Sequence, residues 1–183
     1  MNKKPFIISV AAVSGGGKTT ITNQLLENLR ESEALHFDDY DFEGAPNDFI
    51  KWVNDGANYD VWDLTPLVHD IQTVIETEQF KYILLDYPFA YLNEQMKNYI
   101  DLAIFIDTPL DVALARRIIR DYGERTVSDV MSDLNFYLEY GRGAYVAMEV
   151  VKENSDLIVD GTGSSEDVVN VILEKIESKV STV

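Results

Sequence analysis

Short apolar runs and amphipathic segments alternate along the whole chain. Five runs have the length and composition of buried strands, at residues 6–13, 34–37, 82–86, 102–107 and 157–160. Apolar residues recur at helical spacing between them, in segments 19–29, 47–55, 66–77, 109–121 and 127–151, the last interrupted at Gly141 and Gly143. A final capped helix is expected from Ser164. The alternation predicts an α/β fold, with a five-stranded parallel sheet and right-handed crossovers.

The length and charge of the chain narrow its class. Its 183 residues are expected to form a single domain, 1–183. The net charge of −17 favours solubility and argues against nucleic acid as a partner, because a duplex-binding protein usually presents a basic face. There are no cysteines, no apolar run long enough to cross a bilayer and no signal-peptide cleavage pattern. We therefore expect a cytoplasmic protein without membrane partners, a monomer or a homodimer.

The most specific motif follows the first apolar run. Ala12 to Thr19 matches the phosphate-loop pattern G-x-x-x-x-G-K-[ST], except that Ala12 replaces the first glycine. A strand precedes it and a helix follows it, which is the context that the motif requires. Its glycines let backbone N–H groups converge on phosphate, Lys18 can reach the β- and γ-phosphates, and Thr19 can ligate Mg²⁺. The residues expected to bind ATP are Ser14, Gly15, Gly16, Gly17, Lys18, Thr19 and Thr20.

Carboxylates lie at the ends of the second, third and fourth predicted strands. Asp38 and Asp39 follow the second strand, Asp86 ends the third and Asp107 ends the fourth. Ligands of open α/β sheets bind at this edge, where a carboxylate can take a hydroxyl proton and another can hold Mg²⁺ through water. Asp38 or Asp39 is the candidate base and Asp86 the candidate metal-side residue. Asp107 is interpreted as a solvated turn residue or a helix cap.

Four arginines lie close together in a chain that has few cations. Arg116, Arg117, Arg120 and Arg125 fall within ten positions. Such a cluster could form a cationic lid over a transferring phosphoryl group, where negative charge spreads over the equatorial oxygens. The alternative is a solvated helix face paired with Asp111, Asp121 and Glu124.

Taken in order, these segments resemble the branch of P-loop kinases that contains uridine kinase, nicotinamide riboside kinase and phosphoribulokinase. The matching segments are 14–20, 37–41, 58–63, 115–125 and 156–161, so the resemblance spans nearly the whole chain. It implies a P-loop NTPase fold with a short arginine lid at about 116–130. Ala12, Asp86-Tyr87-Pro88 in place of the usual Glu-Gly, and Thr126 where a further lid arginine is usual are departures from the family pattern.

The resemblance also implies roles for individual residues. Asp38 rather than Asp39 would be the base, and Asp60 beside Tyr59 would hold the ribose hydroxyls, with Asp63 the alternative. Asp39 and Tyr40, next to Asp38 in the same segment, are also expected to contact the substrate. In the lid, the implied catalytic arginines are Arg117, Arg120 and Arg125, and Arg116 is an expected nucleotide contact.

The sequence therefore predicts an ATP- and Mg²⁺-dependent kinase for a hydroxyl of a small nucleoside-like molecule. A kinase of a non-nucleoside alcohol and an ATPase switch acting on a protein partner are the alternatives. The two histidines, His36 and His69, are interpreted as packed or surface residues because no cysteine or second histidine accompanies either. Trp52 and Trp62 flank the expected substrate segment and are interpreted as core residues, with stacking on a base as the alternative.

Overall fold

The computed structural model describes residues 4–181, and its centre is a parallel sheet of five strands. The strands are β1 (Phe6–Ala11), β2 (Ser32–His36), β3 (Tyr82–Asp86), β4 (Leu102–Asp107) and β5 (Leu157–Asp160). They lie in the order β2-β3-β1-β4-β5, and every neighbouring pair is parallel. The predicted parallel sheet is confirmed, with β3, β4 and β5 at the predicted bounds. β1 ends two residues early because the chain turns into the phosphate loop.

Helices cover both faces of the sheet and connect the strands, except that residues 87–101 between β3 and β4 contain no helix. They are α1 (Lys18–Asn28), α2 (Phe49–Asn54), α3 (Thr65–Glu76), α4 (Leu110–Tyr122), α5 (Val127–Phe136), α6 (Arg142–Ala147), α7 (Glu149–Glu153) and α8 (Ser165–Val180). The Ser164 side chain accepts from the N–H of Asp167 and so caps α8 as predicted. The segment 127–151 is broken by a π-helical turn, Tyr137–Gly141, whereas Gly143 lies inside α6.

The sheet is buried on both sides because its strands carry apolar residues at successive positions. Alternate residues of β1 point to opposite faces: Ile7 packs in the cluster that includes α3, and Ile8 packs in the cluster that includes α1 and α8. Both residues are fully buried. The central strand is thereby fixed on both faces, and with it the position of the loop that follows.

The strand order places a crevice at the carboxyl end of β1. From β1 the chain runs to β2 and then to β3 on one side, and from β3 it crosses to β4 on the other side of β1. Ligands of open α/β sheets bind at such a switch point. The phosphate loop follows β1, Asp86 ends β3, and a short 3-10 turn, Phe37–Asp39, follows β2. Within residues 4–181 no helix is both long and apolar enough to cross a membrane.

Candidate active site

The phosphate loop is held by close backbone packing. Gly15 has φ +80°, and a Cβ at this position would overlap the carbonyl oxygen of Ala113 in α4. The Thr108 hydroxyl, after β4, donates to the Gly16 carbonyl at 2.9 Å, and Gly161 packs directly on Thr108. Helix α4 and the segments that follow β4 and β5 therefore fix the path of the phosphate loop.

The loop leads into a helix start that is suited to an anion. Helix α1 begins at Lys18, and among the described residues no side chain caps it and no acid occupies its first turn. The first N–H groups of a helix have no partner inside the helix and carry partial positive charge. The unpaired N–H groups at the start of α1, the glycine backbone of the loop and the ammonium group of Lys18 together fit the phosphates of a nucleotide.

A cleft of about 830 Å³ runs along the carboxyl edge of the sheet. The phosphate loop, residues 12–20, forms its floor. At one end lie residues of the lid, of the loop after β5 and of α8: Arg116, Gly161, Gly163, Ser165 and Val168. At the other end lie Asp38 and a set of aromatic and apolar residues that we call the aromatic wall: Phe37, Phe49, Trp62, Pro88 and Phe89. We call the first the nucleotide end and the second the acceptor end, after the roles proposed for them below; the phosphate loop lies between them.

Beneath this floor, Lys18 forms an ion pair with Asp86, whose side chain is only 2% exposed. The second oxygen of Asp86 lies 3.3 Å from His36 Nδ1. Strand pairing accounts for this contact, because His36 and Asp86 are register partners in β2 and β3. Burial lowers the pKa of Lys18, and the nearby Asp38 carboxylate opposes that shift. His36 is interpreted from the sequence as a packed or surface residue, and its contact with Asp86 is not among the predictions.

Asp38 is the only carboxylate among the described residues that line the cleft. It belongs to the 3-10 turn after β2 and is exposed, with its charge close enough to influence Lys18. The adjacent Asp39 is also exposed but is not among the lining residues. The geometry therefore favours Asp38 over Asp39 as the group that can meet an acceptor hydroxyl.

The other residues expected to bind substrate are not among the residues that line the cleft. The Tyr40 hydroxyl donates to Asp70 at 2.9 Å, and Tyr59 is buried in the core at 7% exposure. Asp60 Oδ1 accepts from the backbone N–H of Glu94 at 2.8 Å. Asp63 accepts from the N–H of Thr65 at 3.1 Å, at the start of α3. Each of these side chains has a structural partner outside the cleft.

The four lid arginines have separate environments. Arg116 and Arg120 line the cleft, and Arg116 donates to the Gly161 carbonyl at 3.2 Å. Arg120 pairs with its neighbour Asp121 and remains 62% exposed. Arg117 is instead largely buried in a bidentate pair with Asp133 of α5, and Arg125 lies over the Tyr122 ring. The structure brings two of the four arginines to the cleft.

Several lining residues were not predicted from the sequence. Phe37 and Phe89 follow β2 and β3, near the predicted carboxylates. Their position after the ends of these strands is the signal in the sequence that could have indicated a place in the cleft. Trp62 packs against both of them, with ring centroids 5.5 and 5.3 Å away, and also lines the cleft. Trp62 therefore packs against core residues and also faces the cleft. Tyr145 and Met148 reach the cleft from the segment after the lid.

Solved structures share this fold. A deoxyadenosine kinase from M. mycoides with bound dCTP has a TM-score of 0.55 at 18% identity, covering 94% of this chain and 100% of that one. Shikimate kinase from Aquifex aeolicus vf5 has a TM-score of 0.53 at 17% identity, covering 96% and 98%. At these identities the likeness extends to the fold alone. Together with the phosphate loop, it gives the chain the P-loop NTPase fold.

The comparison with sequence families narrows this class. The Phosphoribulokinase / Uridine kinase family matches residues 74–166, half of the chain, and the protein belongs to this family. A uridine kinase from Staphylococcus epidermidis is 29% identical, over 96% of this chain and 97% of its own length. One from Staphylococcus aureus is 28% identical, over 98% and 99%. The protein is therefore an enzyme, a P-loop phosphotransferase, and the family resemblance noted in the sequence is confirmed.

Proposed function

We propose that the protein transfers the γ-phosphoryl group of ATP to a hydroxyl of a small nucleoside-like substrate, in a Mg²⁺-dependent reaction. The observation that carries the proposal is the cleft itself, which joins the phosphate loop to Asp38. Uridine kinases of similar length among the relatives support a nucleoside-like acceptor. The cytoplasmic location expected from the sequence belongs to the same proposal.

In the proposed reaction Asp38 accepts the proton of the acceptor hydroxyl. The hydroxyl oxygen forms a bond to the γ-phosphorus while the bond from that phosphorus to the bridging β–γ oxygen breaks, and ADP leaves. Lys18 and the loop N–H groups would stabilise the negative charge on the phosphates, and Arg120 the charge on the transferring group. Arg116, beside Gly161, is the proposed contact at the nucleotide end.

Thr19 and Asp86 are the residues that would hold Mg²⁺. Thr19 lines the cleft at the start of α1, and Mg²⁺ characteristically uses few protein ligands and keeps several waters, so a single hydroxyl and a water-bridged carboxylate suit it. The ion would neutralise charge on the phosphates. Asp86 is paired with Lys18, so we propose that Lys18 moves from Asp86 to phosphate when nucleotide binds, and thereby frees the carboxylate.

The experiment is to measure ADP release from ATP and Mg²⁺ with a panel of nucleosides, nicotinamide riboside, ribose sugars and pantothenate. Acceptor-dependent turnover with a nucleoside, lost on chelation of Mg²⁺, is the expected result. Turnover with pantothenate or a free sugar alone would favour the non-nucleoside kinase. Slow hydrolysis that no acceptor accelerates would contradict a kinase and favour the ATPase switch.

A further inference from the structure

The carboxylate of Asp86 has a separate contact at each of its oxygens. Lys18 Nζ contacts Oδ1, and His36 Nδ1 lies 3.3 Å from Oδ2. An ionised carboxylate only accepts hydrogen bonds, so His36 is the donor and carries its proton on Nδ1. The distance is just beyond the usual range for such a bond, which leaves the contact room to shorten. Asp86 is only 2% exposed, so water has little access to its oxygens.

These two contacts are held in different ways. Lys18 lines the cleft, and in the proposed reaction it moves from Asp86 to the phosphates. His36 does not line the cleft, and strand pairing fixes it beside Asp86, because the two are register partners in β2 and β3. When Lys18 leaves the carboxylate, His36 therefore stays.

The departure of Lys18 has a cost, because a buried carboxylate that loses its cation is strongly destabilised. Lys18 cannot hold Asp86 and the phosphates at the same time, so this cost would weaken nucleotide binding. A hydrogen bond from His36 to the carboxylate reduces the cost, since hydrogen bonds to charged groups are stronger than those between neutral groups. Nucleotide affinity should then depend on a histidine that does not line the nucleotide site.

We infer that His36 is a positioning residue for nucleotide binding, whose Nδ1–H holds the Asp86 carboxylate while Lys18 is on phosphate. The inference rests on one part of the proposed function, the movement of Lys18 from Asp86 to the phosphates. It depends neither on the identity of the acceptor nor on Mg²⁺, so it can be tested with nucleotide alone.

Equilibrium titration with ATP in EDTA tests the inference without turnover. His36→Leu keeps similar bulk and removes the donor, and we expect it to weaken ATP binding about tenfold. His36→Asn should restore most of the affinity, because its side-chain NH₂ group can donate from nearly the position of Nδ1. Unchanged affinity in His36→Leu, or an equal loss in His36→Asn, would overturn the inference.

His69→Leu is the matched control. His69 is the other histidine of the chain, and its Nδ1 also lies 3.3 Å from a carboxylate, that of Asp70. It is 75% exposed and does not line the cleft, so its replacement should leave ATP affinity unchanged. Thermal unfolding of each free variant checks that it is folded at the temperature of the titration.

Replacing Asp86 locates the cause of the effect. Asp86→Asn removes the charge that Lys18 must leave, so in this background His36→Leu should change ATP affinity by less than about twofold. A tenfold loss that persists in the Asp86→Asn background would show that His36 acts by another route and would overturn the inference.

The parent protein supplies a spectroscopic test. Because the chain has two histidines, ¹⁵N-histidine labelling gives signals from only two imidazoles. ATP in EDTA should move the Nδ1 signal of His36 to lower field, as expected for a hydrogen bond that shortens, and leave the signals of His69 in place. A His36 signal that does not respond to saturating ATP would overturn the inference.

Turnover separates this inference from the proposed function. If His36→Leu weakens ATP binding as expected but the parent protein phosphorylates no acceptor, the proposed kinase would be contradicted and the role of His36 would stand. Acceptor-dependent turnover in a protein whose ATP affinity does not depend on His36 would do the reverse.

Discussion

The two ends of the cleft are built from different kinds of interaction. The nucleotide end depends on backbone: a glycine at φ +80° packed against α4, an uncapped helix start, and a threonine hydroxyl that holds the loop carbonyl of Gly16. The acceptor end depends on side chains, which come from the ends of β2 and β3, from α2 and from the segment before α3. A short contiguous motif can specify the first end, whereas the second exists only after the fold has brought separate segments together.

Lys18, where the two ends meet, is the residue whose loss should affect activity and stability together most strongly. Replacing it with alanine removes the charge that faces the phosphates, and we expect a loss of about 10³-fold in kcat/KM. It also leaves Asp86 buried without its cation, so the variant should be less stable than the parent protein. Steady-state kinetics and thermal unfolding measure the two effects.

Lys81→Ala is the control for Lys18. Lys81 is 68% exposed and pairs with Glu31 away from the cleft. Its replacement should therefore change neither kcat/KM nor the thermal stability appreciably. If Lys18→Ala retained most of its activity, the assignment of the phosphate site would be wrong.

Two glycines of the loop test whether close packing shapes the nucleotide end. Both have positive φ, but a Cβ at Gly15 would overlap α4, whereas a Cβ at Gly17 would meet no atom within 4 Å. Gly15→Ala should therefore weaken ATP binding by about 100-fold or more, and Gly17→Ala, which bears only the backbone strain of about 1–2 kcal/mol, by about tenfold. Titration of each variant with ATP would show the order, and equal effects would contradict the role of packing against α4.

The lid arginines should differ according to their position. Arg120 lines the cleft and Arg125 does not. We expect Arg120→Ala to lower kcat by about 100-fold and Arg125→Ala by no more than about threefold. Single-turnover kinetics at saturating ATP would measure the difference. A larger loss in Arg125→Ala would show that the lid rearranges enough to bring that residue to the phosphates.

A smaller effect on stability is expected at Arg117. Its hydrogen bonds to Asp133 lower the pKa of that carboxyl below its ordinary 3.8. A lowered carboxyl pKa adds stability above the ordinary value, and this stability is lost as the pH falls through the folded-state pKa. Arg117→Ala should therefore lower the free energy of unfolding by about 2 kcal/mol at neutral pH, and the difference from the parent protein should shrink below about pH 4.

Chemical denaturation at several pH values measures that difference. A difference that stays constant down to the acid range would contradict the ion pair as its cause. A large loss of kcat in Arg117→Ala without loss of stability would support the catalytic role that the resemblance implies for this arginine.

The fold could be predicted from the sequence because its signals are local. Strands β3, β4 and β5 are apolar runs closed by a carboxylate, and their predicted bounds agree with the structure. The segment 127–151 was harder to predict because its apolar spacing continues through the π-helical turn at Tyr137–Gly141, which shifts the register without any breaking residue before Gly141.

The acceptor end could not be predicted from sequence spacing. Asp60 lies in a motif that resembles a substrate segment, yet its carboxylate accepts from Glu94, which is 34 positions away and carries no recognisable signal. Phe49 belongs to a six-residue helix whose pattern gives no reason to separate it from core residues. Contacts between segments that are distant in the sequence decide which of these side chains faces the cleft.

The measurement that tests the account most directly is a comparison of Asp38→Asn with Asp39→Asn. Both are exposed carboxylates in one turn, and Asp38 alone of the two lines the cleft. We predict that Asp38→Asn binds ATP with unchanged affinity but loses about 10²- to 10⁴-fold in acceptor-dependent kcat, while Asp39→Asn keeps most of its activity. Retained turnover in Asp38→Asn, or an equal loss in both variants, would contradict the assignment of Asp38 as the base.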